Sequence, residues 1–204
     1  MPITINIELS DADLEHFTSA QKAAQESAET ASAEDVTAAA AKLLQNATTM
    51  HVPDFIQQRL NRLDQMIAMV RDEGWALQDD DRERVLSALL YFSNPDDMIP
   101  DSTPVLGFLD DAIMIELCVR DLQHEISAYE DFCDYRQNEA VRRGLNPAAV
   151  GRAEWLADRR EELQDRMHRR RSRDYGTGYG SSSGYAKDRS YVDSGWRPSL
   201  FRAS

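Results

Sequence analysis

Apolar residues recur at alternating spacings of four and three positions in three stretches of the chain, and this repeat most constrains the fold. Such a spacing keeps side chains on one face of an α-helix. Three faces of this kind can bury one another, so the sequence predicts a mainly all-α protein, a small helical bundle. The stripes are Ile56, Leu60, Leu63, Ile67 and Val70; Val85, Leu89 and Phe92; and, on one long helix, Ile115, Val119, Leu122, Ile126, Tyr129 and Cys133.

The first fifty residues have a different composition. Residues 3–9 alternate apolar and polar side chains, which indicates a short N-terminal strand. The stretch that follows is rich in Ala, Gln, Glu, Ser and Thr, with high helix propensity and few large apolar anchors. Ser32 and Asp35 have the spacing of a helix cap. We therefore expect residues 1–50 to form a loosely packed helical arm.

The C-terminal part begins with a helix signalled by Asn146-Pro147, which we expect to end at about Arg171. Its apolar stripe is thin, so an edge or projecting helix is expected. The residues beyond are mainly Gly, Ser, Tyr and Arg, which predicts a disordered tail. The expected division is an arm at 1–50, a helical core at 51–140, this helix at 141–171 and the tail at 172–204.

The charge is unevenly distributed along the chain. Residues 1–150 hold 11 Lys and Arg against 28 Asp and Glu, a net −17, whereas residues 151–204 hold 12 against 8, a net +4. An acidic body repels phosphate backbones, so nucleic acid is not expected on the main domain. Arginines in 166–173 and the tyrosines of the tail leave RNA binding open there, although a solubilising tail is the simpler interpretation.

The compartment is indicated by the cysteines and the N-terminus. Cys118 and Cys133 are expected on one helix about 22 Å apart, beyond the reach of a disulfide. Reduced thiols are typical of a cytoplasmic protein. We expect no export signal at the N-terminus, and the chain has no run of about 18 apolar residues that would span a membrane.

Residues 94–111 read NPDDMIPDSTPVLGFLDD, an unusual density of prolines and acids. Pro95, Pro100 and Pro104 fix φ and bias the residues before them away from helix, so a turn of defined shape is expected. Gly107 stands where the next helix should begin, and a residue without a side chain there allows close backbone approach. The segment is the feature of the sequence most specific to a family.

This segment resembles the hallmark of the YkvA-like domain family, a bacterial family of unknown function. The resemblance covers roughly residues 54–135 and implies a helical fold and a site of interest, without a reaction. Some family members look membrane-inserted through this hairpin, but Asp96, Ser102 and Thr103 are polar here, which argues against insertion. The positions that match in register are Asn94, Pro95, Asp97, Ile99, Pro100, Asp101, Pro104, Gly107, Asp110 and Asp111.

The acids of this segment have two interpretations. Asp97, Asp101, Asp110 and Asp111 could converge if the turn folds back, and oxygen-only clusters suit Mg²⁺ or Ca²⁺. The simpler interpretation is that they cap helices, satisfy turn amides or form ion pairs, with Arg84 or Arg120 as partners of Asp110. The spacing is not that of an EF-hand loop. We therefore expect no resident cofactor, with Mg²⁺ or Ca²⁺ at these four residues as the alternative.

Other catalytic patterns are not recognised. The chain lacks a Gly-x-Ser-x-Gly motif and a phosphate-binding loop, and His124 lacks a second His at the zinc-binding spacing. His124 is expected to be solvated or to hydrogen-bond between helices. The sequence thus favours a non-enzymatic interaction or regulatory protein with protein partners, and a homodimer through the strand-like N-terminus is an open alternative. Divalent-metal-dependent activity and peripheral membrane association are the competing functions.

Overall fold

A computed structural model describes residues 8–27, 32–50, 52–93, 99, 103, 107–147, 150 and 153–176. The regular elements of these residues are helical, as expected. They are seven α-helices and a 3-10 turn that continues α4: α1 (Asp11–Ser27), α2 (Ala33–Thr49), α3 (Asp54–Arg71), α4 (Asp79–Leu89), the turn Leu90–Ser93, α5 (Leu109–Asp121), α6 (Gln123–Arg142) and α7 (Glu154–Gly176). The predicted strand at 3–9 lies almost wholly outside the described residues, as do residues 177–204 of the tail.

The core contains the predicted stripes. Ile56, Leu60 and Leu63 of α3 are at most 1% exposed, as are Val85 and Leu89 of α4. Helix α3 packs against α2, α4, α5 and α6, so it lies at the centre of the bundle. The four-and-three spacing therefore identified the buried faces of α3 and α4.

The expected loose arm is wrong for α2. A capping box between Ser32 and Asp35 begins this helix, and six of its residues are buried. Helix α2 packs against α3, α4 and the 3-10 turn. Small side chains such as Ala40 and Ala47 let the helices approach closely, so the helix packs without large apolar anchors. Whether residues 1–50 form a separate unit stays a prediction.

The single long helix expected around Cys118 and Cys133 is also wrong, because it is divided at Leu122. Leu122 (φ −104°, ψ 17°) ends α5 and begins α6. At this point Arg84 Nη2 donates a hydrogen bond of 3.3 Å to the carbonyl of Asp121. A side chain that bonds to a helix carbonyl is a common cause of a kink. The apolar stripe from Ile115 to Cys133 keeps its spacing of four and three residues across the break.

Helix α7 runs antiparallel to α6 and packs along it, with Leu156, Leu163 and Met167 buried. It continues to Gly176 rather than ending at about residue 171. Within the described part of the chain, no helix has both the length and the apolar character needed to cross a bilayer.

Candidate functional site

The Pro-rich segment leads into α5 through a turn at Gly107 and Phe108. Gly107 N–H donates to the carbonyl of Thr103 at 2.8 Å. Phe108 precedes the helix with φ +68°, a left-handed conformation that is unfavourable for a bulky side chain. Its ring is 1% exposed, so burial of an aromatic side chain offsets the backbone strain.

Asp110 in the first turn of α5 holds the preceding segment in place. Its Oδ2 accepts a hydrogen bond of 2.9 Å from the backbone N–H of Ile99, eleven residues earlier. Arg84, one of the two arginines suggested as an ion-pair partner of Asp110, pairs with Glu125. Among the roles considered for Asp110, the contact that the structure describes is therefore a hydrogen bond with a turn amide.

Asp110 and Asp111 are adjacent carboxyl groups with very little contact with solvent, 3% and 2% exposed. Asp110 Oδ1 is buried and accepts no hydrogen bond among the described residues. The N-terminal end of α5 favours negative charge, but a buried carboxylate oxygen without a partner costs free energy. This oxygen is therefore the feature of the site that a cation would satisfy.

The other predicted site residues lie outside the described residues. Among the residues that are described, no group of three or more His, Cys, Asp or Glu side chains has a geometry suited to a metal ion. The four-aspartate metal site thus stays a prediction. The residues that lie outside are Asn94, Pro95, Asp97, Pro100, Asp101 and Pro104.

A second charged site, not anticipated from the sequence, joins α4, α6 and α7. We call it the charged cluster: Asp81, Arg84, Glu125, His168 and Arg171. Arg171 Nη1 lies 2.6 Å from Asp81 Oδ1 and 2.7 Å from Glu125 Oε1. The side chains of Asp81 and Glu125 are 1% and 0% exposed. Arg84 contacts Glu125 at 3.1 Å, and His168 Nε2 lies 2.7 Å from Asp81 Oδ2.

The charged cluster explains how two carboxylates tolerate burial. Each is paired with a guanidinium, and Asp81 also contacts an imidazole, so part of the desolvation cost is compensated. The second oxygen of Glu125, Oε2, accepts no hydrogen bond among the described residues. The sequence offered one weak signal, since His168 and Arg171 are three apart and share a helix face. Their shared partner Asp81 lies 87 and 90 residues away in the chain, and Glu125 lies 46 residues from Arg171, beyond what spacing can indicate. The arrangement attaches α7 to the core.

A third polar contact set is centred on Asp72, just after α3. Asp72 accepts from Tyr129 Oη at 3.0 Å and forms an ion pair of 2.7 Å with Arg136. Its Oδ1 also accepts the N–H of Gly74 and of Trp75. One carboxylate thus fixes the turn after α3 to α6. Burial, and then the charges of Cys133 and Asp72, raise the pKa of Tyr129, so the phenol stays protonated.

The two thiols are poor nucleophiles. Burial raises the pKa of Cys118 to about 12 and that of Cys133 to about 11. A thiol reacts through its thiolate, so neither residue is activated at neutral pH. Both are free, as the sequence predicts.

The end of α7 is fixed to the start of α6. His124 Nε2 lies 2.7 Å from Asp174 Oδ2, fifty residues later. His124 thus makes the interhelical contact that was one of its two expected roles. Because Asp174 is in the last turn of α7, the chain leaves this helix beside the α5–α6 junction.

Two open depressions mark the described surface. One, of about 510 Å³, lies where α2, the end of α3 and the start of α4 meet, and Arg71 and Arg82 line it together with Glu34 and Glu73. The other, of about 420 Å³, lies between α1, α4 and the α5–α6 junction. We call the second the acidic groove; it is lined by Gln21, Asp80, Glu83, Arg84, Ser87, Ala88, Cys118, Asp121 and Leu122.

Comparison with known proteins gives one match. The model of the family described as "Protein of unknown function (DUF1232)" matches residues 84–117, which span most of α4, the Pro-rich segment and the first part of α5. No curated protein and no solved structure matches the chain. The part of the chain that carries the predicted family resemblance is thus similar to a family of unknown function.

Proposed function

We propose that the chain is a YkvA-like, non-enzymatic interaction protein of the cytoplasm, in which α1 is the element that contacts protein partners. The observation that carries the proposal is the thin attachment of this helix. Of the side chains described on α1, Phe17 and Ala24 are the buried ones. The helix packs chiefly on the 3-10 turn Leu90–Ser93.

The small contact makes α1 separable from the rest. Full burial of Phe17 contributes about 1.5–3 kcal/mol. Ordering each residue of the helix costs about 1–2 kcal/mol of backbone entropy, and an isolated helix of 17 residues is marginal in water. Local opening of such an element requires much less free energy than unfolding of the core. A helix with this property can exchange its contact with the turn for a contact with a partner.

The polar groups of the core support a structural rather than a catalytic role. The acids of the charged cluster and Asp72 are engaged by arginine, histidine or tyrosine from other helices. The thiols are kept protonated by burial. These groups hold α3, α4, α6 and α7 together and leave the exposed face of α1 for recognition.

The test compares partners of the full chain after charge reversal on α1. Glu15→Lys/Lys22→Glu changes two exposed positions of α1, and Asp158→Lys/Arg169→Glu makes a matched change on the outer face of α7. Proteins cross-linked to each variant in the native cell would be identified by mass spectrometry. We expect a protein captured by the wild type and the α7 variant to be lost from the α1 variant. The same captured proteins for all three would overturn the proposal.

A second candidate is a divalent-cation site at Asp110, with Asp111, Asp97 and Asp101 as further ligands. It is favoured by the buried Oδ1 of Asp110, which accepts no hydrogen bond among the described residues. Asp110→Asn keeps an oxygen for the Ile99 amide but removes the charge. Melts with EDTA, Mg²⁺, Ca²⁺ and Mn²⁺ are the test, because a ligand at 100 times its Kd adds about 2.7 kcal/mol. Stabilisation by a cation in the wild type alone would support the site, and its absence from the wild type would exclude it.

A further inference from the structure

The acidic groove combines an apolar floor with an acidic rim. Ala88, Cys118 and Leu122 form the floor and are 5% exposed or less. Asp80 and Glu83 of α4 lie on the rim and are exposed, and neither forms an ion pair or side-chain hydrogen bond among the described residues. Asp121 adds a third carboxylate, whereas the one guanidinium of the lining, Arg84, pairs with the buried Glu125. The groove therefore favours a ligand with both apolar and cationic groups.

Helix α7 ends close to the acidic groove, and a segment with apolar and cationic groups follows this helix in the sequence. Because Asp174 contacts His124, α7 ends beside the α5–α6 junction, and Leu122 of that junction belongs to the groove. Residues 177–204 follow, with Lys187, Arg189, Arg197 and Arg202 against Asp188 and Asp193, a net +2. Within them, residues 196–202 read WRPSLFR, three large apolar side chains between and beside two arginines.

We propose that residues 196–202 of the chain's own C-terminal segment dock in the acidic groove. The aromatic and leucine side chains of the segment cover the floor, and Arg197 and Arg202 face the carboxylates of the rim. Nineteen residues, 177–195, separate Gly176 from Trp196, a linker that reaches up to about 65 Å when extended. A short covalent connection within one chain also gives an effective concentration in the millimolar range, so a weak contact suffices.

The docking of this segment does not require an external partner. Its consequence for α1 rests on the function proposed above. It places a basic segment on the face that adjoins α1, since Gln21 of that helix lines the groove. The segment would therefore stabilise α1 against the core when it is docked and leave α1 more easily opened when it is displaced. Regulation of the proposed arm by the chain's own tail follows from this geometry.

The test is ¹⁹F NMR of the full chain labelled with fluorotryptophan. The chain has three tryptophans, and Trp196→Phe assigns the signal of Trp196. We expect this signal to be displaced from its position in a free peptide of residues 196–202. It should return to the free position in Asp80→Asn/Glu83→Gln and at high salt. The matched control Asp158→Asn/Glu161→Gln, on the exposed face of α7, should leave it displaced.

Three results would overturn the proposal. One is a Trp196 signal at the free-peptide position in the wild type. Another is a displaced signal that both double variants affect equally, because the acidic groove would then not be the site. The third is a displaced signal that returns to the free position on dilution, because the occupant would then be the segment of a second copy. The buried Trp75 signal reports in each sample that the core remains folded.

Discussion

Arg171 of α7 and Glu125 of α6 form an ion pair of 2.7 Å in which the carboxylate side chain is completely buried. The same guanidinium nitrogen lies 2.6 Å from Asp81 of α4, so one side chain joins three helices. A helix with a thin apolar stripe is thereby fixed to the bundle through charge. The stability of the protein should depend on this residue more than on any neighbouring arginine of α7.

Arg171→Ala is expected to lower the free energy of unfolding by about 3 kcal/mol, because it leaves two buried carboxylates short of a partner. The estimate is at the low end of the range for buried pairs since Arg171 is 20% exposed. Arg170→Ala removes an exposed arginine of the same helix and should change stability by less than about 0.5 kcal/mol. Urea denaturation measures both, and equal losses would contradict the role of the charged cluster.

Two substitutions of Asp110 can separate the contribution of its hydrogen bond to stability from the contribution of its charge. Asp110→Ala removes the acceptor of the Ile99 amide and should cost about 1.5–3 kcal/mol, the range for a hydrogen bond to a charged group. Asp110→Asn keeps a carbonyl oxygen there and should unfold closer to wild type. Thermal melts in EDTA compare the two variants. If they melt at the same temperature, the bond to Ile99 is not what Asp110 contributes.

Ala76 offers a test of backbone strain. Its φ of +45° is unfavourable for an L residue by about 1–2 kcal/mol, whereas glycine pays about 0.5–1 kcal/mol in chain entropy. Ala76→Gly should therefore stabilise the protein by about 0.5 kcal/mol. The control Ala157→Gly, inside α7, should destabilise it by about 1 kcal/mol. Opposite signs in chemical denaturation confirm the left-handed turn, and a loss in both would contradict it.

Because the thiols are buried, we expect the free energy of unfolding to fall at alkaline pH. Because the pKa of Cys118 rises from 9.0 to about 12 on folding, the folded state holds this proton more tightly than the unfolded state. That contribution is complete below pH 9 and is lost as pH rises through 9 towards 12. Denaturation at pH 8 and pH 10.5 measures the loss, which should be smaller in Cys118→Ala. Fast alkylation of Cys118 in the native protein at pH 8 would show that the thiol is accessible and contradict the prediction.

The sequence predicted those parts of the fold that depend on local periodicity. The stripes of α3 and α4 required only a repeat of four and three, and the capping box of α2 required only Ser32 and Asp35. The break at Leu122 was not predicted, because the side chain that contacts it belongs to Arg84, thirty-seven residues away from the carbonyl to which it donates. The burial of α2 was not predicted, because alanines let helix backbones approach closely and do not form a stripe of large side chains.

The candidate site could likewise be predicted only where it depends on a local motif. Asp110 and Gly107 were singled out by a dense motif, and both are at the start of α5. The partner of Asp110 was not predicted, because a backbone amide of a turn has no signature in the sequence. The charged cluster was missed because it joins residues that are remote in the chain, and single acids on helices usually face solvent.

The most direct test of the central claim, that α1 is a separable arm on a core of α2–α7, is native-state hydrogen exchange of the full chain. We expect amides in the body of α1 to exchange about 100-fold faster than those of α3, because opening α1 breaks contact chiefly with one short turn. Phe17→Ala should increase exchange in α1 alone. Protection of α1 equal to that of α3 would contradict the claim, since α1 would then open only when the whole protein unfolds.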